Sequence, residues 1–401
     1  KLIGNLADNA NIFGIKPLKI FHASKLKLSE RYGLAYHYIY TQNLDQKITT
    51  PFYKLSNFNT TAISQFETGS LLNYISEYQG NDSFDAFLKQ YFSENYKSKI
   101  VGDDFLKNLE NHSNGKSTFL KKMMAEKHRI NFNLKNFEAQ KDDYRVDIHK
   151  NNSEIIPLKI ETENKSGNKS TFWKSGNEQK NDSISVPENN TSKIVLNDDY
   201  IFPETNFRDN YLYTKGLFSN MKKIRFKLIK DIQNPEYNEV FLTPRLTFNA
   251  YDKILLGMNF KNQGIFDQKF DYSVTPYFST GTGKLTGSGA LGYSILPPDS
   301  FFRSWNFGVS GSYFHYNNNL AYKKFGASTS LNFNKNPRSA IGRTLYFGYN
   351  YYERELTPTM IMANDYAKYN LWNLGYAYSD NRMIHEQYIG GNVQWMEDFQ
   401  K

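Results

Sequence analysis

Cysteine is missing from the sequence altogether, which excludes disulfide bonds and thiolate chemistry. Long hydrophobic runs are missing as well: no 18 consecutive residues are apolar, and the mean hydropathy is −0.66. A membrane-spanning helix needs about 20 predominantly apolar residues, so the sequence predicts none. If the chain resides in a membrane, it must cross with strands, the other structure that satisfies every backbone hydrogen bond in lipid.

A concentrated basic patch is also missing. The 49 lysines and arginines outnumber the 40 acidic residues and give a formal charge of +9, but the lysines are dispersed along the chain. Nucleic-acid binding depends on positive charge gathered on one face. We therefore expect no nucleic-acid partner and interpret the charge as solvated surface.

Aromatic residues, in contrast, are abundant: the sequence has 30 Tyr and 31 Phe, and 16% of its residues are aromatic. In the second half of the chain they alternate with polar residues at the period of a β-strand. One face of the first such segment carries Phe270, Tyr272, Val274, Pro276 and Phe278, and the other carries Asp271, Ser273 and Thr275. Equivalent apolar faces follow: Leu285, Leu291, Tyr293 and Ile295; Trp305, Phe307, Val309 and Tyr313; Phe325, Ala327, Leu331 and Phe333; Leu345, Phe347, Tyr349 and Tyr351.

This alternation is typical of a transmembrane barrel, in which an apolar outer face contacts lipid and a polar inner face lines the lumen. The sequence therefore predicts that residues 216–401 form an antiparallel outer-membrane β-barrel of about ten or more strands. Its first strands are predicted at residues 222–232, 239–248 and 253–260. A soluble β-sandwich also alternates and is the alternative fold.

The two ends of the chain carry no processing or assembly signal. Lys1 is not preceded by Met and is not followed by the charged and apolar regions of a signal peptide. The last residues, Trp395-MEDFQK, do not end on the aromatic that barrel proteins usually carry. We therefore expect the start to be mature or incomplete and the end to be incomplete.

Residues 1–130 show helical periodicity instead. A helix is predicted from Ile63 to a glycine stop at Gly80, a second from Asn81, a third from Gly102 to Gly115, and a fourth over Ser117–His128. The second helix carries the apolar stripe Phe84, Phe87, Leu88, Tyr91 and Phe92. Such a stripe needs a surface to pack against, so we expect an absent part of the chain or a bound neighbour to cover it.

In residues 131–215 the pattern changes to that of short strands, which are separated by loops rich in Gly, Asn, Ser and Lys. The strands are Ile130-NFNLKNF, Tyr144-RVDIHKN, Pro157-LKIETE, Phe172-W and Ser192-KIVLN, and the loops include Asn164-KSGNKS and Gly176-NEQKNDS. This segment is predicted to be a small β-sandwich. The whole chain is therefore expected to be multi-domain: a helical domain, a small sandwich and a barrel.

The helical segment resembles a known family. Asp45-QKI, followed by Ala62-ISQFETGSLLNYISEYQGNDSFDAFLKQYFSENYKSKIVGDDFLKNLENHSNGK, is similar to the helical C-terminal part of the aminopeptidase N family of gluzincin zinc peptidases. The resemblance covers roughly 90 residues in which several helix openings fall in the family's order. The strands after it resemble the small sandwich of the same peptidases. The junction near residue 220 resembles envelope proteins that fuse such a part to an outer-membrane barrel.

The resemblance also implies that the catalytic machinery is degenerate. Phe66 occupies the position of the family's Tyr, which hydrogen-bonds the tetrahedral oxyanion, and Thr68 replaces the following Lys. Loss of one oxyanion donor typically costs about two to three orders of magnitude in rate. We therefore expect no catalytic residue and interpret Phe66 as a core residue. If another hydroxyl replaces the lost one, the candidates near it in sequence are Tyr53, Thr68 and Tyr74.

A zinc site of this type requires His-Glu-x-x-His on one helix face and a more distant Glu. The seven histidines of the chain include no such pair; they are His22, His37, His112, His128, His149, His315 and His385. His385-EQYI begins like the motif but places Ile389 where the second His belongs. We expect no metal and no cofactor in this chain, with zinc only if a motif precedes Lys1.

These observations favour a non-enzymatic scaffold or accessory subunit of an outer-membrane protein complex. The expected partners are the lipid bilayer of the bacterial outer membrane and other outer-membrane or envelope proteins, with the N-terminal part in the periplasm. The alternative is an active zinc aminopeptidase anchored in that membrane, with its metal site upstream of Lys1. A pore is the third possibility, but the lumen-facing residues form no ring of one charge sign, and a barrel of this size is normally filled or plugged.

Overall fold

A computed structural model of the protein describes residues 22, 26, 28–98, 102–188, 190–215, 222–298, 300–333, 336–382, 384 and 386–398. The described residues form two compact units. Unit 1 lies within Lys1–Tyr40, Asp45–Lys223 and Asn234–Tyr237. Unit 2 lies within Thr41–Leu44, Ile224–Gln233 and Asn238–Lys401.

The helices of the N-terminal region precede all of the strands. They are α1 (Leu28–Thr41), a 3-10 turn (Phe52–Lys54), α2 (Asn57–Thr61), a π-helix (Ala62–Glu67), α3 (Thr68–Gln79), α4 (Asn81–Glu94), α5 (Gly102–His112) and α6 (Thr118–Ala125). None of the described helices is both long and apolar enough to cross a membrane.

The helix boundaries follow local chemistry. The side chain of Ser56 caps α2 by accepting a hydrogen bond from the backbone N–H of Asn59 at 3.2 Å, as small polar residues do at helix starts. Gly80 ends α3 with a φ of +99°, and Gly115 follows α5 with a φ of +80°. Glycine adopts such angles at little cost because it has no Cβ. Both predicted glycine stops are therefore confirmed.

Three of the five residues in the predicted apolar stripe of α4 are covered within unit 1, whereas Phe92 is 53% exposed and its predicted burial is wrong. Phe84, Phe87 and Tyr91 are only 4–5% exposed, and the ring of Phe87 lies 5.7 Å from Phe105 and 5.1 Å from His112. The expectation that a missing segment or a neighbour covers Phe84, Phe87 and Tyr91 is therefore wrong. The periodicity could not show that α5 would fold back onto α4 and supply the partner.

Seven strands of unit 1 form two small sheets. The three-stranded sheet has the order β1 (Phe132–Ala139), β2 (Asp143–Lys150) and β5 (Asn181–Pro187). The four-stranded sheet has the order β4 (Lys169–Lys174), β3 (Leu158–Asn164), β6 (Thr191–Leu196) and β7 (Tyr211–Tyr213). Val146 from the first sheet, Ile160 from the second and Leu120 from α6 belong to one hydrophobic core. The sequence did not predict β5 and β7, because β5 is mostly polar and β7 has three residues.

Unit 2 contains one ten-stranded sheet in which each strand pairs with the next in sequence. Its strands are β8 (Ile224–Lys227), β9 (Asn238–Asn249), β10 (Lys253–Lys261), β11 (Phe270–Ser279), β12 (Leu285–Ile295), β13 (Ser304–Asn317), β14 (Leu320–Asn332), β15 (Ile341–Arg354), β16 (Lys368–Asn381) and β17 (Glu386–Asp398). A short helix, α7 (Pro358–Met362), lies between β15 and β16. The protein is thus a small helical region followed by mostly β structure, with ten strands in the predicted region.

The first strand of this sheet differs from its prediction. A strand was predicted over residues 222–232, but β8 has four residues and pairs in parallel with β9. The Nζ atom of Lys227 lies 2.8 Å from Asp231 and 3.0 Å from Glu239, so the chain bends directly after β8. Among the residues that the structure describes, no ladder joins β17 to β8 or β9.

Candidate functional site

The register of the large sheet places the predicted apolar residues on one face. Tyr293 of β12 pairs with Phe307 of β13, and Leu291 pairs with Val309. The row that contains Phe307 continues across four further strands through Thr329, Phe347, Leu374 and Val393. The alternation predicted separately for each segment therefore adds up to one continuous surface.

This apolar face is exposed. Phe270, Leu291, Phe307 and Val309 are 37–48% exposed. On β13 the face runs from Trp305 to Tyr313, which at the rise of a strand is about 26 Å. Strands of transmembrane barrels tilt by about 35–45°, so this length corresponds to about 20 Å along the membrane normal, somewhat less than the apolar band of about 25 Å that such barrels present to lipid.

In β14–β17, the charged residues on this face lie only at the ends of the strands. They are Lys323, Arg343, Glu353, Lys368, Asp380 and Glu397, as their register positions show. On β15 the four positions between Arg343 and Glu353 are Leu345, Phe347, Tyr349 and Tyr351. The face thus has an uncharged centre and a charged border.

Indole rings are concentrated on the same face. Trp305, Trp372 and Trp395 all lie there, whereas the fourth tryptophan, Trp173, is on β4 of unit 1. The rings of Trp372 and Trp395 are stacked, with centroids 6.1 Å apart and planes 11° apart. Tryptophan is enriched where an apolar surface meets a polar boundary.

The opposite face of the sheet is polar and carries small side chains. Ser273, Ser288, Ala290, Ser310, Ser312 and Lys324 line a shallow cavity of about 310 Å³. Nearby, the amide of Asn259 donates hydrogen bonds to Ser273 Oγ at 2.8 Å and Thr275 Oγ1 at 2.7 Å. The two faces of one sheet therefore differ in chemistry as the strand alternation predicts.

In unit 1 the segment that resembles the peptidase motif forms a π-helix. The π-helix ends at Glu67, and π-turns are rare and often occur at functional sites. The half-buried ring of Phe66 lies 4.5 Å from the ring of Tyr32 on α1. Tyr32 is 39% exposed, and its hydroxyl-bearing ring lies beside the residue that the sequence predicts to correspond to the Tyr of the aminopeptidase N family.

Glu67 points away from the surface into a buried polar cluster. Tyr40 donates a hydrogen bond of 2.5 Å to Glu67 Oε1, and the two residues are 6% and 7% exposed. Beside them Arg129 donates to the carboxylate of Asp45, and its guanidinium carbon lies 4.7 Å from the centre of the Tyr40 ring. This cluster joins α1, the π-helix and the segment that precedes β1.

The electrostatics of the cluster follow from its burial. Burial raises the pKa of Glu67 to about 8; Asp45 adds to the rise, while the Tyr40 hydrogen bond and Arg129 oppose it. The pKa of Tyr40 is also raised, mainly by burial and then by the charge of Glu67. A second carboxyl group, Glu204, has its pKa raised to about 8 by burial although it accepts three hydrogen bonds.

The three hydroxyl candidates named from the sequence occupy different environments. Tyr74 lies in the core and donates to the carbonyl of Pro157 at 2.5 Å, and Thr68 donates to the carbonyl of Ile63 at 3.3 Å. Tyr53 is 71% exposed on the 3-10 turn. The structure does not bring them together. Tyr32 and Tyr40, which do contact the Phe66–Glu67 turn, carry no sequence signal beyond helical spacing on α1.

The histidines are dispersed over both units. His37 lies on α1, His112 at the end of α5, His149 on β2 and His315 on β13, while His385 lies outside the described residues. Within the described ranges, no three His, Asp or Glu side chains are grouped so that they could hold a metal ion.

No protein-family model matches the chain. No curated protein matches it either. The resemblance to the aminopeptidase N family therefore stays a prediction from the residues of the sequence.

Proposed function

We propose that the chain is a bacterial outer-membrane protein whose large sheet is part of a transmembrane β-barrel. The observation that carries this proposal is the continuous apolar face, uncharged at its centre over β14–β17, on which Phe307, Leu374 and Val393 lie in one row. Monomeric soluble proteins rarely expose contiguous apolar patches of more than a few hundred Å². Acyl chains are the surroundings in which such a face is stable.

The strand directions set a condition on how such a barrel closes. Because β10 to β17 are each antiparallel to the strand before, β17 runs in the same direction as β9. The edge strand β8 is parallel to β9, so β17 would pair in parallel with either of them, whereas bacterial barrels are built from an even number of antiparallel strands. Antiparallel closure of this sheet therefore needs an odd number of further strands.

Unit 1 acts in this proposal as a non-enzymatic scaffold of peptidase-like ancestry within an outer-membrane complex. Phe66 offers no hydroxyl at the motif position, and the hydroxyl of Tyr74 is used inside the core. The test of this part is to measure bound zinc by mass spectrometry and hydrolysis of aminoacyl reporter substrates with the purified chain. Stoichiometric zinc together with turnover would overturn the scaffold role.

One observation favours the alternative of a zinc aminopeptidase whose metal site lies outside these residues. The exposed ring of Tyr32 packs on Phe66 and could offer a phenolic hydroxyl at the same surface. In that case Tyr32→Phe would lower turnover of an aminoacyl reporter by about two to three orders of magnitude, and Tyr53→Phe would not.

The membrane proposal is tested by flotation. The 401-residue chain, refolded from urea in the presence of phosphatidylcholine vesicles, is expected to float with the lipid in a sucrose gradient and to stay there after a high-salt wash. A folded chain that remains at the bottom of the gradient without lipid would contradict the proposal.

A further inference from the structure

The Tyr40–Glu67 contact sits at a junction of three segments of unit 1. Tyr40 belongs to the last turn of α1, and Glu67 is the last residue of the π-helix. Their hydrogen bond, at 2.5 Å, crosses 27 positions of sequence. Since both side chains are at least nine-tenths buried, this contact fixes the end of α1 against the π-helix.

The charges around this contact do not balance if every carboxyl group is ionised. Among the side chains that the structure describes, the ionisable groups that face Glu67 are Tyr36 and Tyr40 from α1, Asp45 from the following segment, and Arg129 from the segment before β1. Arg129 is already paired with Asp45, which is 3% exposed. Two buried carboxylates beside one guanidinium would leave an uncompensated negative charge, which a site sealed from water does not tolerate.

We propose that Glu67 carries a proton at neutral pH and that its buried site between α1 and the π-helix is an alkaline-sensitive latch, because the single hydrogen bond from Tyr40 offsets only part of the cost of burying the ionised carboxylate. When the proton is lost, the carboxylate needs water, and it gains water only if the π-helix turn opens. The turn carries Phe66 and precedes Thr68, so its opening separates Phe66 from Tyr32. The burial that raises the pKa of Glu67 supports the same direction. This inference does not depend on the membrane proposal.

The proton itself is detected by infrared spectroscopy of the full chain. At pH 6 the difference spectrum, wild type minus Glu67→Gln, is expected to show the carboxylic-acid carbonyl band of Glu67; the band of Glu204, whose pKa is also raised to about 8, is common to both proteins and cancels. Tyr40→Phe removes a hydrogen bond that lowers the pKa of Glu67, so its band is expected to persist to higher pH than in the wild type. A difference spectrum without this band at pH 6, or a Tyr40→Phe band lost at lower pH, would overturn the proposal.

The latch is tested by two further measurements on the same proteins. Between pH 4.5 and 8 the unfolding equilibrium constant of the wild type is expected to rise, relative to Glu67→Gln, by up to about tenfold per pH unit. Above this range, amide exchange of residues 62–68, corrected for intrinsic rates, should rise in the wild type only. The control is Glu94→Gln, which removes an exposed carboxylate at the end of α4. If the wild type and Glu67→Gln showed the same pH dependence of unfolding and the same amide exchange, the latch would be contradicted.

Discussion

Asp252 and His315 form a buried pair in unit 2, with His315 Nδ1 2.7 Å from Asp252 Oδ1 and both side chains fully enclosed. The carboxylate of Asp252 also accepts hydrogen bonds from the backbone N–H of His315 at 3.0 Å and from the amide of Asn249 at 2.9 Å. Its backbone carbonyl accepts from Ser279 Oγ at 2.9 Å. One aspartate thus ties together the ends of β9, β11 and β13.

Removing this carboxylate is expected to destabilise the large sheet. Asp252→Ala leaves two buried donors of His315 without an acceptor, and each such loss costs about 1–3 kcal/mol. Lys368→Ala is the control because its contact with Glu353, at 3.7 Å, is between partly exposed side chains and is worth less than about 1 kcal/mol. Denaturant titration of both variants in lipid vesicles checks the difference. Equal effects would show that Asp252 does not hold the strand ends together.

Tyr74 gives a test of the helical core. Its ring lies 4.9 Å from Phe202 and 5.0 Å from Trp173, and its hydroxyl is the buried donor to Pro157. Tyr74→Phe leaves a buried carbonyl unpaired, so we expect a loss of about 1–2 kcal/mol in the free energy of unfolding. Tyr53→Phe, on an exposed side chain, should change it by less than about 0.5 kcal/mol. Urea titration of both variants measures the two losses. A larger loss of stability in Tyr53→Phe than in Tyr74→Phe would contradict this expectation.

His37 predicts how unit 1 responds to acid. Burial lowers the pKa of His37 to about 4, and a hydrogen bond with the backbone of Glu204 opposes this only in part. Between the ordinary pKa of about 6.5 and 4, the unfolded chain binds a proton that the folded unit does not bind. The contribution of His37 to stability is therefore fully present above pH 6.5 and is lost as pH drops toward 4, by up to about 1.4 kcal/mol per pH unit.

This pH dependence is measured with Trp173 as the only tryptophan, so that the fluorescence reports on unit 1. The His37→Gln variant of this single-tryptophan protein should lose less free energy of unfolding between pH 6.5 and pH 4 than the protein that keeps His37. Only this change is compared, so a difference in stability at pH 7 does not affect the result. Subtracting one curve from the other removes the titration of the carboxyl groups, which both proteins share. Identical slopes would mean that His37 does not stay neutral in the folded unit.

The sequence predicted those parts of the fold that depend on neighbours along the chain. Gly80 ends a helix because of its own backbone freedom, and Phe307 alternates with Gly308 because a strand has a period of two. Residues 224–228 alternate in the same way, yet β8 stops at Lys227, whose charge partners Asp231 and Glu239 lie in the chain that follows; alternation along the chain does not show where pairing with β9 ends.

The candidate site in unit 1 depends on distant residues and could not be predicted in the same way. Tyr40 and Glu67 are 27 positions apart, and Asp45 and Arg129 are 84 apart. No spacing rule links residues at such separations. The sequence marked Phe66 as an altered position, but only the fold shows that Glu67 turns inward and that Tyr32 covers Phe66.

Two adjacent residues of β13 lie on opposite faces of the large sheet. Val309 lies on the apolar face and is 41% exposed, and Ser310 lies on the polar face beside the cavity. If the apolar face contacts acyl chains, Val309→Arg should cost about 2–4 kcal/mol and reduce vesicle insertion, as charges on the lipid face of barrels do. Ser310→Arg should insert normally. In a water-soluble sheet, Val309→Arg would leave the stability unchanged because Val309 is exposed. If the two variants floated equally, the apolar face would not be in contact with acyl chains.

The contact between the apolar face and hydrocarbon is tested most directly by fluorescence quenching in vesicles with brominated acyl chains. Two single-tryptophan proteins are compared: one keeps Trp305 on the apolar face, and the other keeps Trp173, which packs against the core of unit 1. We predict that brominated lipid strongly reduces the emission of Trp305, relative to unbrominated lipid, and leaves the emission of Trp173 unchanged. Emission from Trp305 that is the same in both lipids would contradict the account.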